Sequence, residues 1–361
     1  MQLPTREKEI LENGNVNAIS TTSTRRLNDS SAQENGKRSK RRKSVTIRNP
    51  DVFFYRIFIL PVVAFLPSFL AYGIALVFGN LRYGWSAYSR RKIDHNLEGV
   101  FGRRLSSKQR LSVARNFFRL RSCEMLDEAR LAGSGQAFAK LVEIRGLDNI
   151  KSSLEKGKGA ILCGAHYGSC LGAMSLIGAL GFPVTAIGRW SSEPEDDDSL
   201  IGRLIYLFKL RPVTHHLKRP NILVGRGDIG IAVQASKILK QNELIYTNID
   251  STASNEDRAR TISVNFLNGK ADFLPGAVTL SKLTGAPLLI LLIHRSADWR
   301  HQTLEITSPI STQGTIEEVY QRCLSHIESA IRSEPSHWRF WVDSRLSKLG
   351  LLQSPETEEP F

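Results

Sequence analysis

At 361 residues, 41% hydrophobic and 23% charged, the chain can bury a sizeable core, which excludes a wholly disordered protein. Its formal charge of +14 selects anionic partners: a membrane surface, an acidic protein or a nucleic acid. Four cysteines (Cys123, Cys163, Cys170 and Cys323) without a CxxC pair exclude a disulfide framework and indicate a reduced, cytosol-facing chain.

Residues 1–50 are rich in Ser, Thr, Asn, Arg and Lys and nearly free of large apolar side chains. Such a segment cannot offset its ordering entropy and reads as a disordered basic tail. The dense run Lys37 to Lys43 within it reads as solvated charge or a patch for anionic headgroups; no nucleic-acid partner is expected. Residues 51–82 form a hydrophobic membrane segment, with no charge from Ile57 to Leu81, long enough to cross a bilayer as a helix. Pro61 and Pro67 kink it, and basic residues flank both ends (Arg48 and Arg56; Arg82, Arg90, Arg91 and Lys92). Two-sided charge fits a spanning helix and a segment embedded from the cytoplasmic face equally, so the topology stays open.

The next stretch, Ser106 to Leu131, predicts an amphipathic helix with a basic face: a surface helix or one that touches substrate. From about Val142 the pattern is α/β. Strand-like runs recur at Ala160 to Cys163, Val184 to Ile187, Leu244 to Ile249, Ser263 to Phe266, Leu288 to Ile293 and Thr303 to Ile306. Helical segments fall between them at Leu171 to Leu180, Ser199 to Lys209, Ile229 to Lys240, Pro275 to Thr284 and Ile316 to Arg332. The expected architecture is α/β, a mixed sheet flanked by helices and preceded by the membrane-anchoring helix. Residues 83–347 make one domain, and residues 348–361 a disordered tail.

The candidate chemistry gathers after the first of these strands, in Gly164-Ala165-His166-Tyr167-Gly168-Ser169-Cys170. A histidine in a strand-turn-helix corner stands at the carboxyl edge of the sheet, where open α/β sheets keep their ligand crevices. The N–H groups of Gly168, Ser169 and Cys170, in the first turn of the following helix, can face an anion or oxyanion. Arg189 and Asp250 end other strands on that edge, where a charge can bind an anionic group or orient a base. His215, His216, His294, His301 and His337 lack this setting and read as structural or surface residues. Gly168-Ser169-Cys170-Leu171-Gly172 has the outline of a nucleophile elbow, which makes Cys170 an alternative nucleophile, against the simpler reading of a packed thiol. Cys163, His166 and Cys170 lack a fourth ligand, so neither metal nor cofactor is expected.

These blocks resemble, in order and spacing over roughly residues 52 to 347, the late (lauroyl/myristoyl) acyltransferases of lipid A biosynthesis. These belong to a lysophospholipid-acyltransferase-like group that includes phosphatidylinositol mannoside acyltransferases. The resemblance runs from the apolar anchor through Arg90-Arg91-Lys92-Ile93-Asp94-His95-Asn96-Leu97, His166-Tyr167-Gly168, Asn248-Ile249-Asp250 and Phe266-Leu267-Asn268-Gly269-Lys270. It continues through Leu274-Pro275-Gly276 to Gly285-Ala286-Pro287 and closes at Glu334-Pro335-Ser336-His337-Trp338-Arg339-Phe340-Trp341. It implies transfer of a fatty acyl chain from an acyl carrier protein or acyl-CoA thioester to a lipid hydroxyl, at the cytoplasmic face of the bacterial inner membrane. His166 would be the general base, and Arg189, Gly168 and Ser169 would contact substrate. The chain departs from the family's His-x4-acid pattern, because the acid's position holds Leu171. Three readings follow: another acid, with Asp250 the candidate, replaces it; transfer runs through Cys170; or the protein binds lipid or carrier without turnover.

Overall fold

The computed structural model describes residues 50–131, 136–188, 211–223, 229–251, 260–342 and 346, which belong to one compact unit, Ile47–Phe361. The basic run at Lys37 to Lys43, Arg189 and the helix expected at Ser199 to Lys209 lie outside the described residues, as do residues 1–49 of the expected basic tail and the expected tail 348–361.

The chain begins with α1 (Pro50–Phe54), a π turn at Tyr55–Ile59, α2 (Leu60–Val63) and α3 (Ser68–Trp85). Pro61 has no N–H to continue the ladder, and the π turn is the local accommodation; Pro67 then starts α3 afresh from an extended conformation. The two prolines break the segment as expected, but the pieces are too short for the bilayer-crossing helix that its length allowed. Among the described residues, no helix is long and apolar enough to cross a membrane. Arg82, in the last turn of α3, reaches back to Asp51 at 2.9 Å and ties the two ends of this region together.

Helices α4 (Ala87–Phe101) and α5 (Ser107–Leu131) follow. The expectation of a surface helix at α5 is also corrected, because its second half is buried with its charges included: Glu124, Asp127, Glu128 and Arg130. Its acids are met largely by groups from other elements. Asp127, fully buried, is bound by Arg295 and by Tyr72 (2.6 Å), and Glu128 by Arg56 (2.7 Å). Removing one member of such a pair costs about 3–5 kcal/mol, because the other is left charged in a dry interior.

The remainder is α6 (Gln136–Ala139), β1 (Val142–Arg145), α7 (Leu147–Leu154), β2 (Ala160–Gly164), α8 (Cys170–Ala179), β3 (Val184–Gly188), α9 (Arg211–Thr214) and β4 (Ile222–Leu223). Then come α10 (Ile229–Lys240), β5 (Leu244–Asn248), β6 (Ile262–Phe266), β7 (Gly269–Phe273), α11 (Gly276–Thr284), β8 (Leu288–Arg295), β9 (Gln302–Ile306) and α12 (Ile316–Ser333). The main sheet has the order β1-β9-β8-β2-β5-β3-β4. It is mixed: β8, β2, β5, β3 and β4 run parallel, while β9 and its parallel neighbour β1 run the other way. Its central strands are apolar on both faces because both faces are covered. In β2, Ile161 and Cys163 join the core under α10, α11 and α12, while Ala160 and Leu162 join the core under α7 and α8. The run at Ser263 to Phe266 is not in this sheet. It alternates exposed and buried residues, and pairs with β7 as a hairpin against α12.

Candidate active site

Strands β2 and β5 are parallel neighbours in a register that sets Gly164 beside Asn248. Two residues beyond each lie His166 and Asp250, and the chain brings them together: His166 Nδ1 is 2.7 Å from Asp250 Oδ1. The other carboxylate oxygen accepts the His166 backbone N–H (2.8 Å) and the indole N–H of Trp338 (3.0 Å). Burial pushes the fully buried Asp250 carboxyl up, but the opposing His166 charge and these donors outweigh it and hold it below its ordinary value. An ionised Asp250 fixes the tautomer of His166 with the proton on Nδ1, which makes Nε2 the basic nitrogen. The imidazole is about a quarter exposed, with the Phe340 ring 4.6 Å away.

A strap formed by two 3-10 turns, Pro335–His337 and Arg339–Val342, closes over this corner. It pairs with the histidine loop in a short antiparallel bridge: the Gly168 N–H donates to the His337 carbonyl (3.0 Å) and the Arg339 N–H to the His166 carbonyl (2.9 Å). Gly168 is a backbone requirement here. Its φ of +55° is left-handed, and an added Cβ would come within 2.2 Å of the Ile293 carbonyl oxygen. The Tyr320 hydroxyl donates to the Ile249 carbonyl and steadies the chain entering Asp250.

The other expected site residues fare differently. The Gly168 N–H, expected to face an oxyanion, donates to the His337 carbonyl of the strap. Ser169, buried at the N-cap position of α8, makes no side-chain cap, because its hydroxyl donates to Asp127 instead. Cys170 is buried, and burial pushes its thiol up despite the nearby Arg339 charge. Burial in apolar surroundings disfavours the thiolate, the form in which a cysteine attacks. Leu171, where the family acid is expected, packs half-buried against the core. Cys163 joins the opposite core, and among the described residues no group of His, Cys, Asp and Glu could hold a metal ion.

Sequence reasoning missed the strap as a structural part of the site. Its signals were a cluster of aromatics, Trp338, Phe340 and Trp341, and its place in the block that closes the family resemblance, neither of which puts it beside His166. It also missed the charges beneath: Glu124 takes Arg121 (2.6 Å) and Arg339 (2.9 Å), and Arg121 also donates to the His337 carbonyl (3.0 Å). The arrangement is a basic imidazole, oriented by a buried carboxylate, at the carboxyl edge of a parallel sheet beside a helix N-terminus. Such an arrangement can take a proton from a hydroxyl brought to its exposed nitrogen.

Compared with known families, the chain matches the model described as bacterial lipid A biosynthesis acyltransferase over residues 39–348. No curated protein matches it.

Proposed function

Because the chain belongs to the bacterial lipid A biosynthesis acyltransferase family, and is therefore an acyltransferase, we propose that it carries a fatty acyl chain from a carrier thioester to a hydroxyl of a lipid acceptor, with His166 as general base and Asp250 as its orienting acid. The observation that carries the reading is the 2.7 Å contact between His166 and Asp250 at the ends of adjacent parallel strands. It offers an acid in place of Leu171 and so favours turnover over a binding protein on the same fold.

In the reaction, His166 Nε2 accepts the proton of the acceptor hydroxyl as its oxygen attacks the thioester carbonyl carbon. The Asp250 carboxylate stabilises the imidazolium that forms. The tetrahedral oxyanion is met by first-turn N–H groups of α8, those of Cys170 and Leu171. When the carbon–sulfur bond breaks, His166 returns the proton to the leaving thiolate, giving an ester and a free carrier thiol. The donor is an acyl carrier protein or acyl-CoA, an acidic partner suited to the chain's positive charge. Arg189, the residue after β3, is assigned to an anionic group of donor or acceptor. The enzyme works at the cytoplasmic face of the bacterial inner membrane, with its apolar N-terminal region against the bilayer.

The test is a mass-resolved lipid profile of bacteria that express the wild type, His166→Ala or Asp250→Asn at matched levels. A lipid species heavier by one acyl chain is expected with the wild type and absent with His166→Ala. Asp250→Asn keeps the shape and loses the charge, and should reduce the product by about 10²- to 10⁴-fold, the upper figure being that of a disabled serine-protease aspartate. If Asp250→Asn matches the wild type, the orienting role is wrong; if His166→Ala does, the base is wrong.

A further inference from the structure

We infer that the N-terminal helices α1 to α3 lie flat in one leaflet of an anionic bilayer, seated by a single apolar stripe, and do not cross it. The inference deepens the membrane-bound reading above and rests on it. The stripe is defined by exposure: Phe58, Val62, Phe65, Phe69, Val77 and Leu81 are all exposed, Phe65 at 92%. Within the helical pieces they recur about every four residues, and Leu70 and Ile74, also exposed, fill the interval between Phe69 and Val77, so exposed apolar side chains run along the whole segment on either side of Pro67. Trp85 and Tyr88, exposed at the far end, are residue types that settle at the headgroup level.

The opposite face decides the orientation. Ala71, Tyr72, Ala75 and Gly79 are buried, and at Gly79 an added Cβ would lie 2.6 Å from the Arg119 Cα on α5. Along that contact α5 presents charge at each level of α3. Arg130 donates to Ser68 (3.0 Å) at its start, Asp127 accepts from Tyr72 (2.6 Å) one turn on, and Arg119 donates to Asn80 (2.8 Å) near its end. An upright α3 would draw this charged helix through the hydrocarbon with it, where ionised side chains are costly. A flat α3 sinks its apolar stripe and keeps α5 above the lipid. Charge complementarity names the occupant: the chain leaving the stripe passes into exposed Arg91, Arg103, Arg104 and Lys108, which suit anionic headgroups.

The experiment uses the full-length chain with cysteine placed singly at Phe58, Phe65, Phe69, Val77 or Leu81 and labelled with bimane, the four native cysteines being buried. Each is bound to phosphatidylglycerol/phosphatidylethanolamine vesicles that carry a nitroxide lipid quencher at a shallow or a deep acyl position. The flat arrangement predicts one common ratio of shallow to deep quenching at all five positions. A ratio that shifts to deep quenching mid-segment and back again at the ends means a crossing helix and overturns the inference. Flotation with vesicles but no quenching means that the stripe is covered by a second copy, another protein or the chain's own tail, and overturns it while sparing the membrane reading. Failure to float removes both. As a second variant, Phe65→Glu is expected to lower the vesicle-bound fraction by about tenfold with an unchanged circular dichroism spectrum, since that side chain packs against little else.

Discussion

At the scale of single residues, the site turns on where an acid can come from when Leu171 stands in its usual place. Asp250 was legible as a charge ending a strand on the correct sheet edge. Its pairing with His166 was not, because the partners are 84 positions apart and only the β2–β5 register brings them level. Trp338 was less legible still: a buried indole N–H reaching a carboxylate across 88 positions leaves no periodicity to read. Its hydrogen bond helps hold Asp250 ionised, which leads to a prediction. Trp338→Phe keeps the ring and deletes the donor, so kcat should fall about tenfold, as for other partners that orient a reacting ligand. A carboxylate with one donor fewer is more basic and grips the imidazolium more tightly. The acid limb of the rate–pH profile should therefore move to higher pH. A uniform loss of rate with the limb in place would reduce Trp338 to packing.

At the scale of elements, α5 and the strap explain why local pattern went astray. The charges of α5 are spaced as on a solvated helix, and nothing in their spacing shows that Arg295, Tyr72 and Arg339 come from distant elements to meet them. The strap depends on His337 in the same way. Its Nε2 accepts the Arg295 backbone N–H (3.1 Å), its ring stacks on Tyr167, and its Nδ1 lies 3.0 Å from Glu334. Burial lowers the pKa of this imidazole, Glu334 opposes that, and the nearby Arg121 and His294 add to it. Below the ordinary histidine value of about 6.5 the unfolded chain thus binds a proton that the folded chain refuses. The stability this group contributes is complete above that pH and declines as pH falls below it, until the folded-state value is passed. Urea midpoints at pH 7.5, 6.5 and 5.5 should drop more steeply for the wild type than for His337→Gln, which keeps an acceptor but cannot titrate. Parallel slopes would remove His337 as a source of acid lability.

At the scale of the whole molecule, the alternation of apolar runs and helices carried the α/β architecture, and α10 falls where the pattern placed it, from Ile229 to Lys240. The polar edge strand β1 and the two-residue β4 were too weak to register, and β6 looked like a sheet strand because a short alternating run does not say which face will be covered. The membrane reading proposed above implies a division of forces. A formal charge of +14 draws it to anionic surfaces from a distance, while the exposed stripe acts only on contact. The first force is screened, with a Debye length of about 10 Å at 0.1 M salt and about 3 Å at 1 M; the second is not. Binding to vesicles with and without phosphatidylglycerol should separate them. At 50 mM salt the anionic vesicles should bind at least about tenfold more tightly, since each basic residue near such a surface contributes about 1 kcal/mol. Near 1 M that advantage should nearly vanish, while binding to neutral vesicles holds, because burial of apolar surface survives screening. Salt that strips the enzyme from both would mean that charge alone holds it and that the stripe faces something other than lipid. If salt changes neither, the chain's positive charge is meant for the acidic acyl donor, and the membrane is found by apolar contact alone.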